Sequence, residues 1–107
     1  MKKEYSDSEL LMMMNEHSES AKDLLYNKYQ YIVRIYVKKY KKMAYVLGME
    51  IKDLTQEALV GFADALNSYK EDESTKLATF ISLCVERRLQ SALLKASRKK
   101  NIALNEA

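Results

Sequence analysis

Two groups of side chains in this sequence have the types and spacing for chemistry with a partner. The first lies in DLTQEALVGFADALNSYKEDESTKLATFISLCV, which runs from Asp53 to Val85. There Leu54, Ala58, Phe62, Ala65 and Tyr69 recur at spacings of three and four, the buried stripe of a helix. Gln56, Glu57 and Asp64 fall off that stripe. Carboxylates accept charge-assisted hydrogen bonds, and a glutamine both donates and accepts, so this set suits a basic partner. It equally suits a solvated helix face. The second group is the run from Glu86 to Lys100. It holds Arg87, Arg88, Lys95, Arg98, Lys99 and Lys100 against one acid. Arg87 and Gln90 are three apart and share a helix face. In a duplex major groove arginine pairs with guanine and glutamine with adenine, while Lys95, Arg98, Lys99 and Lys100 suit phosphates. The alternative is a surface that only keeps the chain soluble.

Other chemistry finds no support. His17 is the single histidine and falls in a turn. Cys84, the single cysteine, has no histidine near it in sequence and sits on an apolar helical stripe, as a small core residue would. No cluster has metal-ligand spacing, and no glycine-rich phosphate loop is present. The expectation is a protein that is not an enzyme and needs no cofactor. One unpaired cysteine fits a reducing cytoplasm, and the absence of a signal-peptide pattern agrees. The apolar runs are far shorter than the ~20 residues a bilayer requires, so no membrane partner is expected.

These groups must be positioned by helices. The chain has 107 residues, no proline and two glycines, too few turn residues for a strand-rich fold. It predicts an all-α domain of about four helices. Ser6 and Glu9 form a capping box for a short helix from Asp7 to Asn15. Ser20 is placed to cap a long helix to Val46. Its stripe is Leu25, Tyr29, Ile32, Tyr36 and Tyr40, widened by Val33 and Val37. Lys38, Lys39, Lys41 and Lys42 suit the negative end of its dipole. Gly48 reads as the stop. Asp53 is placed as the N-cap of the third helix, to about Ser68, with Gln56 completing a capping box. The fourth helix starts after Ser74 or Thr75 and reaches about Lys99. Met1 to Tyr5 has little to hold it. Charge is segregated: seven acids stand against two lysines from Glu50 to Glu73, and the basic run follows. Such a chain can touch a polyanion with one part and a basic protein with another.

The order Asp53-Leu54-Thr55-Gln56-Glu57-Ala58, Gly61, Tyr69 and Leu77-Ala78-Thr79-Phe80 resembles region 2 of the bacterial sigma-70 family of RNA polymerase sigma factors. The run FISLCVERRLQSALLKASRKKNIALN is most similar to the sigma-H type. The resemblance covers roughly Ser20 to Asn105. It implies that Asp53, Gln56 and Glu57 dock on the basic coiled coil of the beta-prime clamp of core RNA polymerase. It also implies that Arg87 and Gln90 read the upstream edge of the minus-10 promoter element, with Arg88 beside them and the later cations on phosphates. An anti-sigma factor is a further partner of such domains. Residues 1–19 are then an extension, 20–100 the region 2 domain, and 101–107 the start of a linker to a C-terminal domain, since the family's region 4 has no counterpart here.

The sequence departs from the family where the duplex is opened. Leu83 and Cys84 occupy the positions of the tryptophan pair found in housekeeping sigma factors. Tyr69 and Phe80 remain as candidates for base stacking, worth ~1–3 kcal/mol per base. Phe80 fits the core stripe as well. A base-capturing pocket on the turn from Lys70 to Lys76 is another expectation. Two rivals stay open: a small helical regulator that binds duplex DNA without polymerase, and a helical protein-interaction module with a solvated basic end.

Overall fold

The computed structural model describes residues 4–71 and 75–100. Four helices account for its secondary structure: α1 (Asp7–Asn15), α2 (Glu19–Val46), α3 (Ile51–Ser68) and α4 (Leu77–Lys100). No strand occurs among the described residues, so the all-α expectation holds. The expectation for 101–107, and part of those for residues 1–5 and for the 70–76 turn, lie outside the described residues. The chain divides into two compact units, Met1–Tyr31 and Ile32–Ala107.

In the first unit the capping box forms as expected. The Ser6 N–H donates to Glu9 Oε1 at 3.1 Å, and the Glu9 N–H donates to Ser6 Oγ at 3.2 Å. The helix α1 closes through the Ser18 N–H on the Met13 carbonyl and the His17 N–H on that of Met14. His17 sits at φ 69°, left-handed backbone that glycine tolerates best. Ser18, not Ser20, then caps α2. Its Oγ accepts from the Ala21 N–H at 3.2 Å and its carbonyl takes the Lys22 N–H. The reason is geometric: the chain leaves the α1 closure at Ser18, so that residue stands immediately before the helix. Leu10, Leu11, Ala21, Leu25 and Tyr29 are buried. Asp7 binds Lys28 Nζ at 2.7 Å and accepts from the Tyr29 hydroxyl.

In the second unit α2 ends the same way, with Met49 N–H on the Ala44 carbonyl and Gly48 N–H on that of Tyr45. Here glycine holds the left-handed position, at φ 75°. The helix α3 begins at Ile51, two residues earlier than expected, and its N-cap is Glu50, with no side-chain cap bond. The Glu50 carbonyl accepts from both Asp53 and Leu54 N–H groups at 3.1 Å. Asp53 is therefore already inside the first turn, and the capping box with Gln56 does not form. Ile51 and Lys52 have no side chain that competes for backbone, so they propagate the helix. Asp53 still favours the helix from there, through the dipole.

The helices α3 and α4 pack against each other. Leu54, Phe62, Ile81, Val85, Leu89 and Leu93 are all but inaccessible. Gly61 permits the approach: a Cβ there would stand 3.0 Å from the Cys84 carbonyl oxygen and 3.1 Å from Val85 Cα. Along α4 the buried residues are Leu77, Ile81, Val85, Leu89, Leu93 and Ser97, one every fourth position. At 3.6 residues per turn, a step of four drifts by about 40°. The buried face thus winds around α4, and its cations do not share one side.

Candidate functional site

The acidic set lies on the first half of α3. Asp53 and Gln56 are exposed, and Glu57 is half-buried. Glu57 Oε1 accepts from Arg88 Nε at 2.8 Å. The close crossing at Gly61 makes this possible, because the Arg88 Cβ would be 3.1 Å from a Cβ at 61, one turn beyond Glu57. Two residues expected to meet different partners therefore hold each other. Asp64 is exposed, further along α3.

The cations of α4 sort into two rows. At about 100° per residue, Arg88, Lys95 and Lys99 fall within some 40° of one another, while Arg87 and Arg98 form a second row about 100° away. The first row looks toward α3. Lys95, Lys99 and Lys100 line an open hollow of about 360 Å³ together with Asp53 and Glu57. Lys100 also lies over the end of α2, since a Cβ at Gly48 would be 2.6 Å from its Nζ. An ammonium there meets the carbonyl end of the α2 dipole. In the second row Arg87 and Arg98 are exposed and form no ion pair with any described residue.

Gln90 is exposed and tied to α2. Its Nε2 donates to Tyr40 Oη at 3.1 Å. The Tyr40 hydroxyl donates to Glu86 Oε2 at 2.6 Å, and Lys39 Nζ donates to the same oxygen at 2.5 Å. Lys39 holds the Glu86 carboxyl below the usual carboxylate range, helped by Tyr40. Glu86 in turn raises Lys39. Burial raises Tyr40, with the bond to Glu86 adding to it. Reading the sequence missed this network, because Lys39 and Tyr40 pass as part of a basic helix end. The available signal was Glu86 itself, the one acid in a basic run.

Tyr69 and Phe80 pack on each other, with centroids 5.4 Å apart and planes tilted by 51°. Both are half-buried, and the Tyr69 hydroxyl donates to the Thr75 carbonyl at 2.7 Å. The pair ties the end of α3 to the start of α4. Cys84 is partly buried, which raises its thiol pKa. Among the described residues there is no group of carboxylates, histidines and cysteines that could hold a metal ion. Nor is any described helix long and apolar enough to cross a membrane.

A family model for sigma-70 region 2 matches residues 25–99. The chain is 29% identical over 99 residues to the RNA polymerase sigma-H factor of Bacillus licheniformis, covering 92% of this chain and 43% of that protein. Against the sigma-H factor of Bacillus subtilis (strain 168) the identity is also 29%, over 92% of this chain and 44% of that protein. The RNA polymerase sigma-28 factor of Bacillus thuringiensis subsp. kurstaki is 29% identical over 97 residues, 90% of this chain and 39% of that protein. The chain thus spans less than half the length of these relatives. No solved structure matches it significantly. The region 2 match takes in most of α2, all of α3 and nearly all of α4, the helices that carry both candidate surfaces, and this chain belongs to the sigma-70 family as a region 2 domain.

Proposed function

We propose that this chain joins core RNA polymerase to the minus-10 region of a promoter in transcription initiation, acting in the cytoplasm and catalysing no reaction itself. The observation that carries the reading is the region 2 match across helices that hold an exposed acidic face on α3 and an exposed Arg87–Gln90 pair on α4. Asp53 and Gln56 meet the beta-prime clamp coiled coil. Glu57 contributes there while bound to Arg88. An anti-sigma factor competing for the same α3 face would be the natural antagonist. Arg87 and Gln90 address base edges, and Arg98, Lys95, Lys99 and Lys100 address phosphates. Tyr69 and Phe80 tie the end of α3 to the start of α4 beside the opened strand, and are the candidates for stacking a base. Two features favour this over a free-standing DNA regulator. The α3 acids would repel a duplex, and half of the α4 cations lie on their side.

The test is capture of core RNA polymerase by the full-length factor, followed by promoter binding. Gln56→Ala should weaken core binding at least tenfold with a nearly unchanged melting temperature, because the side chain is exposed. Undiminished capture would remove the α3 face from the interface. Tight, sequence-specific duplex binding without polymerase would favour the free-standing regulator.

A further inference from the structure

We infer that Tyr40, on α2, is a positioning residue for base readout by Gln90, and that Glu86 fixes the direction in which it acts. The inference rests on the proposed role of Gln90 and adds the device that orients it. A glutamine amide has two nearly isosteric ends, an acceptor oxygen and a donor nitrogen. An unrestrained one can present either to a base edge. Gln90 is not unrestrained, because its amide meets Tyr40 Oη at 3.1 Å.

The chemistry of that contact decides which end meets the hydroxyl. Ionised Glu86 is an acceptor only, and Tyr40 Oη lies 2.6 Å from its Oε2. The single phenolic proton must therefore go to Glu86. Tyr40 is left with lone pairs alone, and can only accept from Gln90. The amide nitrogen faces Tyr40, and Oε1 faces away with the second N–H of the amide. Lys39, donating to the same Glu86 oxygen at 2.5 Å, keeps the carboxylate ionised and in place. The chain Lys39–Glu86–Tyr40–Gln90 thus runs in one direction.

An outward oxygen beside an N–H matches adenine, which offers the N6 donor and N7 acceptor in the major groove. Guanine offers N7 and O6, two acceptors, and would leave the amide oxygen facing another oxygen. The device therefore favours adenine over guanine at the base pair Gln90 reads. It also orders the side chain before DNA arrives, which lowers the cost of ordering it on binding.

The experiment uses holoenzyme reconstituted from the full-length factor and core polymerase, with promoters varied one base pair at a time. Tyr40→Phe removes the hydroxyl and keeps the ring. It should reduce adenine-over-guanine discrimination by about two- to tenfold at the base pair where Gln90→Ala does the same. The double variant should lose no more than Gln90→Ala alone. Glu86→Gln, which lets Tyr40 turn its proton toward Gln90, should relax the same base pair, while core capture stays at the wild-type level. If Gln90→Ala relaxes one base pair and Tyr40→Phe does not, the positioning role is wrong and the readout role stands. If neither relaxes any base pair, both fail. A uniform loss on every promoter would make Tyr40 a helix clamp only, and would also overturn the inference.

Discussion

The two cationic rows of α4 have the same chemistry and different neighbours. Arg88, Lys95 and Lys99 look toward α3, where Glu57 takes Arg88 and Asp53 shares a hollow with the lysines. Arg87 and Arg98 stand exposed on the other side, and no described residue pairs with them. A basic segment is therefore not one electrostatic object. The winding of the buried face divides it into a row that shares its surroundings with the α3 carboxylates and a row that does not. All of these cations are exposed, so both rows can meet a polyanion, the inner one against the field of Asp53 and Glu57.

The largest expected effect removes the comparison altogether. Leu89 is fully buried in α4 and belongs to the stripe that sets both rows. Leu89→Ala should cost about 2–5 kcal/mol, the range for a buried leucine truncated to alanine. Thermal unfolding followed by circular dichroism would read it. A cost under 1 kcal/mol would mean that the α4 register is held elsewhere.

The next effect separates the rows directly. Each phosphate contact contributes about 0.9 to the slope of log affinity against log salt. Arg98→Ala, which removes a phosphate contact from the outer row, should lower the holoenzyme's slope by about 0.9. Lys95→Ala, on the inner row, should lower it by less, because that ammonium shares its hollow with Asp53 and Glu57. Equal losses from the two substitutions would erase the distinction between rows.

How far such a division could be read in the sequence depends on its physical scale. Helix type and number were legible, because the three-and-four apolar rhythm and the missing prolines act locally. The Ser6–Glu9 box was legible for the same reason. The start of α3 was not: Asp53 has the right side chain for an N-cap, but backbone bonding at Glu50 had already begun the helix. The α4 cations were legible as a group, and their rows were not. Rows depend on where Gly61 lets α4 cross α3, and a single glycine in a helical pattern does not announce what it touches. The Glu86 network spans 46 and 47 residues, beyond the reach of any local pattern.

A smaller effect concerns the pair that anchors the inner row. The side chains of Arg88 and Glu57 are 45% and 34% exposed. Partly solvated pairs contribute ~0.2–1 kcal/mol. Glu57→Gln and Arg88→Gln should each lower stability by no more than about 1 kcal/mol, and together by no more than the larger single loss. Fully additive losses in that cycle would show that the two side chains are not coupled.

The last effect lies on the flank of α4 that faces α2, and it is graded by pH. Glu86 is held below the ordinary carboxylate range by the Lys39 hydrogen bond, then by that of Tyr40. A carboxyl with a depressed folded pKa binds its proton less readily when folded than when unfolded. Its stabilising contribution is complete above the unfolded value, roughly pH 4.3, and is lost as pH falls through the folded value. Because the contacts are largely solvated, the amplitude should be small, and screening by salt should reduce it further. Glu86→Gln removes this titration without touching Arg88 or Glu57. The variant's melting temperature should therefore fall less steeply with acid than the wild type's, and the two curves should converge below the folded value. Parallel curves across that window would mean that Glu86 is not held by Lys39 and Tyr40 as the hydrogen-bond geometry requires, and the direction of the Tyr40 hydroxyl would then be unfixed.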